Sequence, residues 1–322
     1  MGNKILWTDK TWNPIVGCSK ISPGCKNCYA ERMAKRLKAM GRPEYQEVVD
    51  ENGWTGKTVF VKERLKIPYG WEKPQKIFVG SMTDLFHESV KTQWIDRIFE
   101  TMVNKAPQHT YQILTKRPEQ MLEYLRRPRL YGYGLGSRVY AKNIWIGVTV
   151  ENQEQADKRI PILLQIPSAV RFVSIEPMLG EIDLRAYIHG GLFADPREIG
   201  RFYSPLDWVI CGGESGPGAR PIQIHPEWVR GLRDQCQGAG VPFFFKQWGK
   251  WGFAERGEKY HDWRDDIGFR KIGKQKAGRK LDGRTWDEFP DTPDTCFISP
   301  HCHKKEKQKG LFDDEQNHSG ML

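Results

Sequence analysis

The sequence predicts an α/β fold, a partial or near-closed (β/α) barrel, on three observations. Short apolar runs rich in β-branched and aromatic residues recur through the first 250 residues. Helical patterns lie between most of them, which indicates a mainly parallel sheet. With one more strand before Cys18 the count reaches seven, more than a small flavodoxin-like domain uses and well suited to a barrel. The composition of the 322-residue chain, 39% hydrophobic and 28% charged, is globular and excludes a wholly disordered protein.

The elements follow in order. A first strand is expected within residues 4–12, and a helix over 28–40 with Tyr29, Met33, Leu37 and Met40 on one stripe. Residues 41–75 read as an insertion containing Gly, Pro and Trp. Strands are expected at 76–80, 111–115, 143–150, 170–175, 207–211 and 242–246, near-continuous apolar runs that suit burial on both faces. Helices are expected at 90–104, 118–126, 152–165 and 226–238, the last stopped by Gly238 or Gly240. Residues 185–205 read as a second insertion. From Gly249 the pattern dissolves. The chain therefore divides into a barrel over 1–250 and an irregular basic extension over 251–322, ending in a polar tail from His303.

No apolar run approaches the ~18 residues needed to span a bilayer, and residues 1–10 lack the apolar stretch of a signal peptide. A cytoplasmic location with no membrane partner is the expectation. The formal net charge is +10, and residues 270–280 carry six basic and no acidic side chains. Without that segment the excess falls to four. The segment reads as a solvated surface loop that could also touch phosphates or RNA.

The sharpest feature is Cys18-x6-Cys25-x2-Cys28, in TWNPIVGCSKISPGCKNCYAERM. Seven cysteines in a chain without an export signal favour metal or redox use over a disulfide framework. Pro14, Gly17, Pro23 and Gly24 bend the backbone so that three thiolates can converge on a metal centre. Structural zinc needs a fourth ligand, and the next candidate, His87, is 59 residues on. An iron–sulfur cube held by three cysteines leaves one iron free for a ligand, and the donor set favours it over zinc.

The run resembles the cluster loop of radical SAM enzymes, in particular the spore photoproduct lyase-like branch. Asn13-Pro14, Gly17-Cys18 and Cys25-Lys26-Asn27-Cys28-Tyr29-Ala30 carry the likeness. The family's usual spacing is Cys-x3-Cys-x2-Cys, so the first gap here holds three extra residues. Gly80-Ser81-Met82-Thr83-Asp84 resembles that branch's Gly-x-x-Thr-Asp segment, and Leu114-Thr115-Lys116 its Leu-Thr-Lys turn. More narrowly, the whole chain resembles a radical SAM-like family carried by phages and prophages whose function is not defined. Trp12-Asn13-Pro14 and Cys211-Gly212-Gly213-Glu214-Ser215-Gly216-Pro217 carry that match. The resemblance implies a [4Fe-4S] cluster on Cys18, Cys25 and Cys28, bound S-adenosyl-L-methionine cleaved reductively to a 5′-deoxyadenosyl radical, and a reductant protein such as a flavodoxin or ferredoxin. It also suggests a nucleic acid or nucleotide as substrate. The alternative is a phage-associated zinc- or cluster-binding protein without catalysis.

In a (β/α) barrel the chemistry sits at the carboxyl ends of the strands. The polar residues there are Ser81, Thr83 and Asp84, then Thr115 and Lys116, then Thr149, Glu151 and Asn152, then Ser174 and Glu176, then Glu214 and Ser215, and last Lys246 and Gln247. Of these, Ser81, Thr83, Asp84, Thr115, Lys116, Glu176 and Glu214, with Gly212 and Gly213, are the candidate cofactor contacts. Asp84 or Glu176 would suit the ammonium and ribose of S-adenosylmethionine, and Lys116 its carboxylate. Each could equally be a helix cap or a loop hydrogen bond. Gly212–Gly218 lacks the Walker ending and the dinucleotide spacing, so it reads as a cofactor loop or a tight turn. Cys296 and Cys302, with His301 and His303, could form a second metal site; Cys211 and Cys236 read as small core residues. The tryptophans suit base stacking or core packing, and Arg126, Arg127, Arg129 and Arg138 a surface patch or a phosphate contact.

Overall fold

A computed structural model describes residues 5–127, 141–166, 168–189, 191–192, 202–203, 205–220, 224–254, 262–264 and 267–291. Seven parallel strands form one sheet in sequence order. They are β1 (Lys10–Trp12), β2 (Lys76–Val79), β3 (Thr110–Thr115), β4 (Ile144–Thr149), β5 (Val170–Ile175), β6 (Trp208–Gly212) and β7 (Phe243–Gln247). Helices α1 (Tyr29–Ala39), α2 (Thr92–Glu100), α3 (Pro118–Arg126), α4 (Gln153–Leu164) and α5 (Pro226–Gly238) fall between strands. The expected strand–helix alternation is therefore present, with β5, α3 and α5 at the residues the pattern assigns. No helix among the described residues is long and apolar enough to cross a membrane.

Alternate side chains go to two different cores. One face of the strands, including Ile77, Ile113, Ile146, Val173, Val209 and Phe243, packs with the helices. The other face gathers Trp145, Phe172, Trp208 and Phe244 around Trp7. Trp7 shows that the sheet curls. Its ring lies 4.9 Å from Phe78 on β2 and 6.4 Å from Trp208 on β6. In a flat sheet those strands, four steps apart, would be about 19 Å from each other. Phe289 closes the same aromatic floor, 5.0 Å from Trp208 and 5.5 Å from Phe244, with the Lys76 ammonium 4.4 Å from its ring centre. The result is a half-barrel, open between β1 and β7 and filled at its base by aromatic rings.

The tail end of the barrel was the least legible part. Where the apolar pattern fades, Trp251–Ala254, Asp262–Arg264 and Ile267–Lys271 form a three-stranded antiparallel sheet. Beyond the expected boundary at residue 250, Leu281 and Trp286 are buried in the helix-side core. The insertion at 41–75 contributes a short ladder of Val49–Asp50 with Gly53–Trp54 and a strand, Val59–Phe60, that pairs with Ile15–Val16. Cys296, His301, Cys302, His303, Arg129 and Arg138 lie outside the described residues. Cys211 and Cys236 are buried free thiols, as expected of core residues.

Candidate functional site

Cys18, Cys25 and Cys28 line one cavity of about 170 Å³ at the carboxyl ends of β2–β4, together with Ser81, Thr83, Asp84, Thr115, Lys116 and Thr149. Its inner wall is apolar, from Phe78 and Leu114. All three cysteines are half-buried. Five residues of the predicted cofactor set, Ser81, Thr83, Asp84, Thr115 and Lys116, thus meet the three predicted metal ligands in one place. Glu176, Gly212, Gly213 and Glu214 lie further round the barrel.

The first cysteine is held by the β2–β3 side. Gly17 has φ +102, and a Cβ there would collide with the Lys57 carbonyl, so glycine is required where the chain turns into Cys18. Thr83 Oγ1 donates to the Gly17 carbonyl at 2.7 Å. Asn13 Oδ1 accepts from Met82 N (3.0 Å) and from Ser81 Oγ (3.2 Å), latching the turn after β2 to the loop before Cys18. Burial, then the nearby Asp84 carboxylate, pushes the Cys18 thiol up to about 12.

Asp84 is fully occupied. Its Oδ1 accepts from Thr115 Oγ1 (2.6 Å) and Phe86 N (3.1 Å), and its Oδ2 from Lys116 N (2.9 Å) and Arg117 Nη1 (3.2 Å). A ligand ammonium would have to displace one of these donors. Asp84 and Thr115 therefore frame the cavity wall. Arg117, which is buried, also reaches Glu88 (2.9 Å) and Ser19 Oγ (2.7 Å).

Both ring nitrogens of His87 have partners. Its Nδ1 accepts from Ser89 N at 3.1 Å, which leaves the proton on Nε2, 2.9 Å from Ser19 Oγ. Burial, reinforced by the Arg117 charge, lowers its pKa and favours this neutral form.

The second and third cysteines are held by two carboxylates that reach across from distant strands. Glu151, after β4, is fully buried. Its Oε1 accepts from Gly24 N (2.9 Å), beside Cys25, and its Oε2 pairs with Arg159 (3.0 Å) of α4. Burial alone would raise its pKa; hydrogen bonds from Ser22 and Gly24 and the charges of Lys116 and Arg159 bring it below the ordinary value. Glu214, after β6, accepts from Asn27 Nδ2 (3.0 Å), Arg220 N (2.6 Å) and Arg220 Nη2 (2.8 Å). Arg220 in turn donates to the Pro23 carbonyl at 3.2 Å. Here too burial is outweighed, mainly by Arg220, and the carboxyl is held low.

The glycine-rich segment is packing rather than an open cradle. A Cβ on Gly213 would run into the Trp248 carbonyl, so glycine lets the turn after β6 lie against the chain leaving β7. Asn152 is an N-cap, accepting from Gln155 N at 3.0 Å. Glu151, Asn27, Asn13 and Arg220 carry structural roles that single-residue reasoning did not assign; the carboxyl-end position of Glu151 was the available signal. Lys116 is different: among the described residues its ammonium has no hydrogen-bond partner, and it lines the cavity.

Among the described residues no three His, Cys, Asp or Glu side chains are placed to hold a single metal ion.

The fold and site define a class: an α/β half-barrel whose carboxyl-end mouth holds three cysteines on a loop clamped from β2, β4 and β6. A family model described as "Protein of unknown function (DUF5131)" matches residues 2–290, and the chain belongs to that family. No curated protein and no solved structure matches the chain.

Proposed function

We propose that the cavity is the cofactor site of a cytoplasmic radical SAM-like enzyme, with Cys18, Cys25 and Cys28 holding a [4Fe-4S] cluster. Bound there, the cluster would supply the electron for reductive cleavage of S-adenosylmethionine, drawing it from a reductant protein such as a flavodoxin or ferredoxin. The observation that carries the reading is the convergence of three half-buried thiols on one cavity whose carboxylates already have partners. The chain's own residues have distinct tasks in it. Thr83, Glu151 and Glu214 hold the loop from three strand ends, so the thiols are arranged before any cofactor arrives. Lys116, whose ammonium has no hydrogen-bond partner among the described residues, would take the carboxylate of S-adenosylmethionine. Phe78 and Leu114 exclude water behind it.

Anaerobic reconstitution with iron and sulfide, followed by reduction in the presence of S-adenosylmethionine, tests the reading. One cluster per chain and release of 5′-deoxyadenosine are expected, both lost in Cys25→Ala. A colourless protein binding one zinc per chain would overturn it. A brown protein that leaves S-adenosylmethionine intact would reduce it to a cluster-binding partner protein.

A further inference from the structure

Three cations gather beside the cysteine loop. Arg32, on α1, donates from Nη1 to the Asn27 carbonyl at 2.9 Å. Its other nitrogen, Nη2, lies where a Cβ on Gly216 would collide with it, so glycine (φ +109) lets the guanidinium rest against the turn after β6. Lys250 reaches the next residue of that turn, its Nζ donating to the Pro217 carbonyl at 3.3 Å. Lys271 stands opposite Trp251 in the antiparallel sheet, and Gly273 N donates to the Lys250 carbonyl at 2.8 Å, so its strand runs beside Lys250. Lys271 is exposed, and Arg32 and Lys250 are partly exposed.

The carboxylates at hand are spent elsewhere. Glu31, next to Arg32 in sequence, pairs with Lys20 at 2.9 Å, and Glu214, just before the turn, pairs with Arg220 at 2.8 Å. Among the described residues Arg32, Lys250 and Lys271 have no ion pair. Desolvation, then the charges of Lys271 and Arg32, lowers the pKa of Lys250, as crowded cations require. Positive charge held together without a counter-charge raises the local potential for an anion. Tyr29 adds a second chemistry. It is 43% exposed and stands three positions before Arg32 on α1, so ring and guanidinium are neighbours on one helix face. An acidic protein surface would engage the cations alone, whereas the open ring beside them suits an unpaired base.

We propose that Arg32, Lys250 and Lys271, with Tyr29, bind a single-stranded nucleic acid along the edge of the barrel mouth, the cations on its phosphates and the ring under a base. The same turn touches the cysteine loop: a Cβ on Gly218 would come within 3.2 Å of Oδ1 of Asn27, between Cys25 and Cys28. The strand would therefore pass beside the cysteine cavity. This deepens the substrate class suggested for the enzyme, and it rests on the cluster reading only for the reaction performed, since strand binding needs no cluster.

Fluorescence anisotropy of the full chain, without added iron, tests it. The probes are labelled single-stranded DNA and RNA of mixed sequence, the matching DNA duplex, and polyglutamate. Binding of a single strand, DNA or RNA, more tightly than the duplex is expected. Its log affinity should fall with log salt at a slope of about 2, from three phosphates at ~0.7 each. Arg32→Gln and Lys271→Gln should each lower that slope by about 0.7, and Tyr29→Ala should weaken binding about tenfold. Lys158→Gln, an exposed lysine of α4, should leave it unchanged. No binding of either strand, a duplex bound as tightly, a slope unmoved in Arg32→Gln and Lys271→Gln, or an affinity unmoved in Tyr29→Ala would each overturn the assignment. So would an equal loss in Lys158→Gln, or polyglutamate bound as tightly as the strands. Iron and sulfide content after reconstitution separates the two readings. A chain that takes up no cluster but binds the strand through Lys271 loses the first and keeps the second; one that takes up a cluster and binds no strand does the reverse.

Discussion

Asn27 donates from Nδ2 to Oε2 of Glu214 over 3.0 Å, joining residues 187 positions apart. The bond ties the residue between Cys25 and Cys28 to the turn after β6, and Arg220 completes it by pairing with Glu214 and reaching back to Pro23. The cysteine loop is thereby part of the barrel rather than an appendage.

Replacing Glu214 tests that tie. Glu214→Ala leaves the Arg220 and Asn27 donors without their acceptor and should cost about 1–3 kcal/mol in urea unfolding at neutral pH. It should also reduce the cluster retained after reconstitution. A stability equal to that of the native chain would show that the loop stands without this support.

The same carboxylates set a pH dependence. The Glu214 and Glu151 pKa values are lowered by folding, so their contribution is present above the unfolded value of 4.5 and is lost as pH falls through the lower folded values. Stability should therefore drop on acidification below about pH 4.5, and Glu214→Gln should flatten part of that drop. Unfolding midpoints measured from pH 7 to pH 3 in both chains check the slope.

Asp84 makes four hydrogen bonds in a buried setting, one of them an ion pair with Arg117. Asp84→Asn keeps the shape but turns an acceptor into a donor facing Lys116 N or Arg117. About 3–5 kcal/mol of destabilisation is expected, the range for breaking a buried pair from one side. Thermal unfolding measures it, and a change under 1 kcal/mol would remove Asp84 as the frame of the cavity wall.

Two glycines should behave oppositely. Gly213→Ala sets a methyl against the Trp248 carbonyl and should give insoluble or strongly destabilised protein. Gly231, inside α5, has open space around its missing side chain. Gly231→Ala should stabilise by about 0.5–1 kcal/mol through helix propensity. Comparative thermal melts decide both.

Thiol labelling, mapped by peptide mass analysis, should follow exposure and acidity. Cys25 and Cys28 are half-buried and should react first; Cys18, raised to about 12 by burial and by Asp84, should react slowly. Cys211 and Cys236 should react only on unfolding. Protection of Cys18, Cys25 and Cys28 together after iron and sulfide treatment would mark them as one ligand set.

Much of the frame was legible in the residues. Strand periodicity marked β2 to β7 because each is covered on both faces and so reads as a continuous apolar run. Pro118 and Pro226 open their helices because proline suits a first turn, where its missing N–H would have had no partner. The antiparallel strands after Gly249 escaped because their pattern there is broken by Gly and charge.

The sequence by itself determined the alternation of strands and helices, the closeness of three cysteines, and the rows of polar residues at the strand ends, since all of these are local properties of spacing and polarity. Only the tertiary structure decided what those polar residues do. Asp84, Glu151 and Glu214 look alike along the chain, yet each is spent on a donor brought from elsewhere in the fold. Among the described residues the Lys116 ammonium is left without such a partner. A carboxylate's or an ammonium's availability depends on what folding places within 3 Å of it, and contacts between residues over a hundred positions apart leave no mark in local sequence.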